Sequence, residues 1–235
     1  NACYTRAQAG VGPPGFLRSC LDELGIQEEI QGHENLQAIV QGPCIVVANH
    51  PFGGVEAMLF LHMLRQVRPD ALVMANYLLQ RVPEVADGIL AVDPFAREHS
   101  AKSNIKAMRQ ALQHLRGGGV LGVFPSGTVS HWQMGQASVT DPEWSMHIAA
   151  LIQRAAVPVL PVYFHGRNGW GFQLAGLIHP MLRTALLPRE LLNKRGRSIK
   201  ITVGRRIAQR QLLRFETKER LTSFVRASTY LLKES

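Results

Sequence analysis

His50 and Glu56 are the two residues whose types and spacing could do chemistry together. They sit in "VVANHPFGGVEAMLF", residues 46–60, where apolar residues run into Asn49 and His50, glycines follow, and an acid opens a second apolar run. A strand that ends on Asn-His presents an imidazole at the carboxyl edge of a sheet, where open α/β sheets bind ligands. Neutral histidine is a natural general base near pH 7. It needs a carboxylate or carbonyl that fixes its tautomer and steadies the imidazolium that forms. Glu56 is the nearby acid, and Gly53 and Gly54 give the chain freedom to fold back toward His50. The plainer reading is a loop histidine followed by a first-turn helix acid favoured by the helix dipole. On the pair alone, both readings stay open.

Two further stretches carry polar groups after apolar runs. "FPSGTVS", residues 124–130, holds Ser126, but Pro125 precedes it where a hydrolase elbow needs Gly-x-Ser-x-Gly. Ser126 is therefore a poor nucleophile candidate. The backbone at Gly127 and Thr128 could form a small donor nest for an oxyanion or an acceptor group, or could be an ordinary turn. In "HGRN", Arg167 could bind a carboxylate or phosphate through two hydrogen bonds, with Asn168 beside it, or could be a solvated loop residue.

The elements that must position these residues alternate. "GFLRSCLDELG" has helical spacing and stops at Gly25. Residues 44–49 read as a strand buried on both faces. A helix over 55–67 and a strand over 71–76 follow. "SNIKAMRQALQHLRGGG" puts Ile105, Met108, Leu112 and Leu115 on one helical face. Strands over 120–124, 157–164 and 199–204 and a helix over 144–155 complete the pattern. The alternation predicts an α/β sandwich with a largely parallel central sheet flanked by helices, plus an N-terminal helix packed outside. One domain over 1–235 is expected, with an N-terminal helical segment to about residue 35 and a motif-bearing core over about 36–208.

With the elements in order, four blocks resemble the glycerolipid acyltransferases, the lysophosphatidate-acyltransferase-like superfamily. "NHPFGGVE" is similar to their first block, in which four residues separate the histidine from an Asp. "GILAVDPF" (88–95) sits where the second block lies. "FPSGTVS" resembles the third, usually Phe-Pro-Glu-Gly-Thr-Arg-Ser, and "VPVLPVYFHGRN" (157–168) resembles the fourth. The resemblance implies an O-acyltransferase with His50 as base and Glu56 as its partner. It implies substrate-binding roles for Asn49, Gly53, Gly54, Ser126, Gly127, Thr128, Arg167 and Asn168. It implies no cofactor and no metal, with acyl-CoA or acyl-ACP as co-substrate.

The departures from the family pattern are specific. The acid is Glu, one position late, with Val55 at the usual place. One residue turns a helix by about 100°. The dyad then requires a reshaped glycine turn or the extra methylene of Glu. Ser126 replaces the third-block Glu, and Val129 replaces the Arg associated with the phosphate of a glycerol-phosphate acceptor. Together with "HGRN" and "LLPRELLNKRG", these features are similar to the hemolysin-related, ornithine-lipid-type branch, whose members acylate a hydroxyl of an amino-acid lipid or a lysolipid. The second function class is a non-catalytic lipid- or membrane-binding protein on a degenerate acyltransferase fold, argued from the same departures.

The formal charge is +9. An acidic partner is expected: an anionic membrane surface, an acyl carrier protein or nucleic acid. Nucleic acid ranks last, because no reader motif and little interleaving of aromatic and basic residues is present. "LAGLIHPMLRTALLPRELLNKRGR" (174–197) mixes leucines with arginines, as an interfacial segment or a core helix pair would. No run of about 18 apolar residues predicts a spanning helix. The first ten residues lack the apolar core of a signal peptide. Cys3, Cys20 and Cys44 match no zinc spacing and read as reduced thiols. The expected location is peripheral, on the cytoplasmic side of the inner membrane, with a lipid acceptor.

Overall fold

Cys44–Ala48 contains no charged or amide side chain, so it fits only where both faces of a sheet are covered, and all five of its residues are buried. The structure is a computed structural model and describes residues 12–92 and 100–234. In chain order the elements are α1 (Gly12–Glu23), β1 (Gln27–Gln31), β2 (Cys44–Ala48), α2 (Val55–Val67), β3 (Leu72–Asn76), α3 (Pro83–Ala86) and β4 (Ile89–Val92). Then come α4 (Ser100–Arg116), β5 (Val120–Val123), β6 (His131–Gln133), β7 (Ser138–Thr140), α5 (His147–Ala155) and β8 (Val159–Phe164). The chain closes with α6 (Trp170–Ile178), α7 (Pro180–Leu192), β9 (Ser198–Val203), α8 (Gln209–Leu212) and α9 (Lys218–Tyr230).

The main sheet has seven strands among the described residues, in the order β1-β9-β8-β2-β5-β3-β4. Its pairings are parallel except β8 with β9. The expected α/β architecture with a mostly parallel sheet is therefore observed. β2 lies between β5 and β8, with Val46 opposite Gly122 on one side and Leu160 on the other. Side chains alternate across a strand. Val46 and Ala48 accordingly pack with α1 and α2, while Ile45 and Val47 pack with α4, α5 and α9. α2 is buried on most of its surface, Glu56 included, because α1 covers its outer side.

Three features differ from the pattern read in the sequence. β1, "QEEIQ", is a polar strand at the sheet's edge, where every second residue faces water. It carries no apolar alternation to reveal it, and it adds a strand to a segment expected to be helical. α9, unread in the sequence, covers the far face with Leu221 and Val225, so the packed unit extends beyond residues 36–208 on both sides. On α4 the buried stripe is Ala107, Ala111 and Leu115, and Ile105 is 55% exposed. Small alanines let the helix sit close to the sheet, which turns the larger Ile105 outward. Of the stretch 88–95, residues 93–95 lie outside the described residues.

Behind the carboxyl ends of β2, β5 and β8 stands a set of phenyl rings. Phe60 of α2 is fully buried. Its ring meets Phe124 at 5.2 Å and Phe164 edge-on at 5.9 Å. Offset and edge-on arrangements are favourable for aromatic pairs. Phe60→Ala should lower the unfolding free energy by about 3–5 kcal/mol, as truncation of a buried ring usually does. Urea denaturation checks this, and an unchanged midpoint would contradict the packing described.

Candidate active site

The site begins where β2 ends. Asn49 is 2% exposed, and both halves of its amide are engaged. Nδ2 donates to the Phe164 carbonyl at 2.9 Å, and Oδ1 accepts the Phe164 N–H at 2.7 Å. This side chain ties the end of β2 to the end of β8. His50 follows directly. Its N–H donates to Asp141 Oδ1 at 3.1 Å, and its carbonyl accepts the Ser130 N–H at 2.7 Å. Its ring stacks on Phe124, with centroids 4.4 Å apart. The backbone and one ring face are thus fixed, and the side chain keeps 16% exposure.

Glu56, in the first turn of α2, has no exposed surface and reaches His50, its Oε1 lying 2.9 Å from Nδ1. The imidazole N–H is not aimed along that line, a common condition in sites without substrate, where alignment tightens on binding. The same Oε1 accepts the N–H groups of Phe52 at 2.8 Å and Gly53 at 2.7 Å. Gly53 adopts φ +102, and a Cβ there would stand 2.6 Å from Leu187 Cδ2 and 3.0 Å from Val129 Cγ2. Only glycine satisfies that backbone angle and that space. The reshaped turn is what carries the late acid back to the histidine. With Nδ1 buried against Glu56, the exposed part of the ring lies on its other side.

Burial pushes the Glu56 carboxyl up, but the adjacent His50 and the N–H groups of Gly53 and Phe52 outweigh it, so the carboxyl is held below the usual carboxylate range. The carboxylate form is therefore the one the site stabilises. Cys44, by contrast, is pushed up to about 12 by burial. That makes it a packed thiol inside the sheet, with no role as a nucleophile.

Two residues that sequence reasoning passed over hold this turn. Asp141 is buried, and its Oδ1 accepts from both the His50 N–H and the Ser130 hydroxyl. Its Oδ2 accepts Trp144 Nε1 at 2.9 Å, and its own N–H donates to the Tyr230 hydroxyl at 2.9 Å. Lys194 is also buried, and it donates to Glu190 Oε2 at 3.1 Å and Asn168 Oδ1 at 3.2 Å. Asn168 Nδ2 in turn donates to the Phe52 carbonyl at 3.0 Å. The Lys194 ammonium also lies 5.1 Å from the centre of the Phe52 ring. An acid in "TDPEW" and a lysine after a helix have no local pattern that marks them. Only the fold brings them to the turn.

The remaining predicted residues divide. Val129 packs on Gly53, so the 124–130 loop adjoins the dyad. Ser126 Oγ donates to the Thr128 carbonyl at 2.9 Å, closing a local turn. The Gly127 N–H donates to the Phe124 carbonyl at 3.0 Å, which removes it from the donor nest considered from sequence. Gly127 and Thr128 are exposed. Gly54 caps α2 beneath Leu191. Arg167 is exposed, with its guanidinium 5.2 Å from the centre of the Trp170 ring. It lines a cavity of about 560 Å³ with Phe52, Asn168, Lys194 and Arg197, on a side of Phe52 that does not include His50.

The sequence profile of the family described as acyltransferase matches residues 3–235. A lyso-glycine lipid O-acyltransferase from Phocaeicola vulgatus is 25% identical over 225 residues, covering 92% of this chain and 77% of that protein. Another of the same name, from Bacteroides thetaiotaomicron, is 25% identical over 224 residues, covering 92% of this chain and 79% of that protein. The crystal structure of the 1-acyl-sn-glycerophosphate acyltransferase PlsC from Thermotoga maritima is similar in fold, with a TM-score of 0.61 and 21% identity over 94% of this chain and 77% of that one.

A depressed folded-state carboxyl contributes stability above its unfolded pKa and loses it as pH falls through the folded value. For Glu56 that window lies at and below the ordinary value of 4.5. Glu56→Gln should therefore be less stable than the parent at neutral pH, and the gap should close as pH drops below that value. Denaturation of both proteins across this range tests it. A gap that is constant with pH would show that the carboxylate's ionisation is not what the turn stabilises.

Proposed function

The chain belongs to the acyltransferase family, and from that premise we propose that it transfers a fatty acyl group from a thioester to a hydroxyl of a lysolipid. The donor is acyl carrier protein or acyl-CoA, and no cofactor is required. The observation that carries the reading is the His50–Glu56 contact at 2.9 Å. The glycine-lipid acceptors named for the two relatives favour an amino-acid-containing lysolipid, the class also implied by the motif departures. The shifted acid was the ground for a non-catalytic lipid-binding reading, and a dyad assembled despite that shift supports catalysis instead.

In the proposed reaction, the exposed side of the His50 ring takes the acceptor hydroxyl's proton. The oxygen attacks the thioester carbonyl. The resulting tetrahedral centre collapses, the C–O ester bond forms and the C–S bond breaks. His50 returns the proton to the leaving thiolate. Glu56 fixes the tautomer and stabilises the imidazolium between these two transfers. Asp141 and Asn168 act through the backbone of the turn, holding His50 and Phe52 in place. The fully occupied amide of Asn49 makes it a further positioning residue in this reading. The reaction would run at the cytoplasmic side of the inner membrane, where lysolipid and thioester meet.

His50→Ala should reduce acyl transfer by roughly 100- to 10,000-fold, the usual worth of a general base, with the thermal unfolding midpoint retained. Glu56→Asp should also lose most activity, because the shorter side chain falls short of Nδ1. Product formation from acyl-CoA or acyl-ACP and lyso-glycine lipid, read by mass spectrometry, measures both. Full activity of Glu56→Gln would remove the carboxylate from the mechanism.

Val129 stands where the family motif carries Arg, and it packs its methyl groups over Gly53. A buried phosphate without a matching cation is costly. Glycerol 3-phosphate should accordingly be a poor acceptor beside a lysolipid hydroxyl. Comparable turnover of the two in the same assay would place a phosphate-binding cation elsewhere in the site.

A further inference from the structure

α6 is built inside out. Its sequence, "WGFQLAGLI", has one polar side chain apart from the indole N–H, and that residue, Gln173, is 3% exposed. Gln173 Oε1 accepts the Trp132 N–H at 2.9 Å, and its Nε2 reaches toward the Asn168 carbonyl at 3.4 Å. The apolar residues point the other way. Trp170, Leu174, Leu177 and Ile178 are 59%, 59%, 56% and 79% exposed, at the spacing of a single helical stripe. Met181, at the start of α7, extends the stripe with 57% exposure. A surface helix normally shows water its polar side, and a contiguous apolar face marks a surface that something apolar covers.

We infer that this face of α6 and α7 is the surface on which the protein sits on an anionic lipid bilayer, with the apolar stripe in the headgroup and acyl boundary. Charge selects this occupant. Residues 165–189 contain no Asp or Glu, while Arg167, Arg183 and Arg189 fall within them, and the Glu190 that follows is buried and paired with Lys194. Arg167 lies over the Trp170 ring, a cation and an amphipathic ring at the rim of the stripe. The aliphatic stem of Arg183 runs against Gly176, where a Cβ would stand 2.4 Å from its Cδ. A long basic side chain laid along a helix in this way can keep its apolar stem down and its head at the interface. Among the described residues no helix is long and apolar enough to cross a membrane, so the hairpin lies on the bilayer rather than through it.

α7 connects this face to the dyad. Met181 belongs to the exposed stripe, while Leu187 and Leu191 cover Gly53 and Gly54 of the catalytic turn. From Met181 to Leu187 the helix spans about 9 Å along its axis, so the stripe and the catalytic turn are near neighbours on one element. A lysolipid anchored by its tail beside the stripe would then have its polar hydroxyl near the turn. This inference deepens the lysolipid reading above and rests on it for its purpose. The surface itself is tested separately.

The test uses the full chain, sedimented with vesicles of phosphatidylcholine alone and of phosphatidylcholine with phosphatidylglycerol. The parent should bind the anionic vesicles, and added salt should weaken that binding. The double variant Leu177→Glu/Ile178→Glu changes only exposed side chains, so its unfolding curve should match the parent's. It should lose vesicle binding by about tenfold or more. It should also lose acyl transfer to vesicle-embedded lysolipid, yet retain transfer to a short-chain lysolipid dispersed as monomers. Vesicle binding unchanged in the double variant overturns the inference. So does a parent dimer, seen by light scattering, that the double substitution converts to monomer without any parent binding to vesicles, because a second copy would then be the cover. His50→Ala separates the two readings: it should bind vesicles like the parent. If the parent binds vesicles through this face but acylates no lysolipid, the proposed activity fails and the docking surface stands.

Discussion

Glu56 has no exposed surface, and an ionised carboxylate removed from water costs several kcal/mol unless donors and charge replace its hydration. Here the replacement is local. Two successive backbone N–H groups, those of Phe52 and Gly53, converge on Oε1, and the His50 imidazole stands beside them. Two neighbouring N–H groups can point at one atom only if the chain turns sharply, and the φ of +102 at Gly53 provides that turn. The interaction that keeps a buried charge tolerable is therefore the same one that sets the geometry of the dyad. It also explains how an acid one residue late still reaches the histidine: the carboxylate organises the turn around itself.

Such a turn is useful only if it does not move. Three independent ties hold it, each from a different part of the chain. Asn49 closes the gap between β2 and β8 at the start of the turn. Asp141, carried in after the β6–β7 hairpin and supported by Tyr230 of α9, holds the His50 backbone. Asn168, with Lys194 behind it, holds the Phe52 carbonyl. All three side chains are buried, so each would carry a desolvation penalty if its bond were lost, and that penalty stiffens the arrangement. Groups fixed before substrate arrives need not be reorganised during the reaction, which is where electrostatic preorganisation has its effect.

The outer face of α6 follows the opposite logic. Inside, Gln173 is spent on the Trp132 N–H. Outside, nothing in the fold requires Leu177 or Ile178, since neither touches the core. The fold uses its scarce polar group inward and leaves its apolar ones to the surroundings. The same helix pair sends Leu187 and Leu191 onto the catalytic turn, so one element serves both the surroundings and the site.

The sequence by itself determined the α/β pattern, the start of β2 and the span of α2, because continuous apolar runs and 3.6-residue spacing are local properties of the chain. The four ordered blocks also carried the histidine and its acid as a candidate pair. What the sequence left open was whether Glu56 and His50 meet, since one extra residue rotates a helix by about 100° and only the path of Gly53 cancels it. It likewise concealed β1, whose polar residues suit an edge strand and give no alternation, and the hold of Asp141 on the His50 backbone, a contact across 91 positions. At Gly127 it left a donor nest and an ordinary turn both open, and the structure shows the turn, with that N–H bonded locally to the Phe124 carbonyl. Patterns of local burial are written along the chain. Which buried polar group satisfies which other is decided only when distant segments are brought together, because an unmet donor or acceptor acquires its penalty only once water is gone.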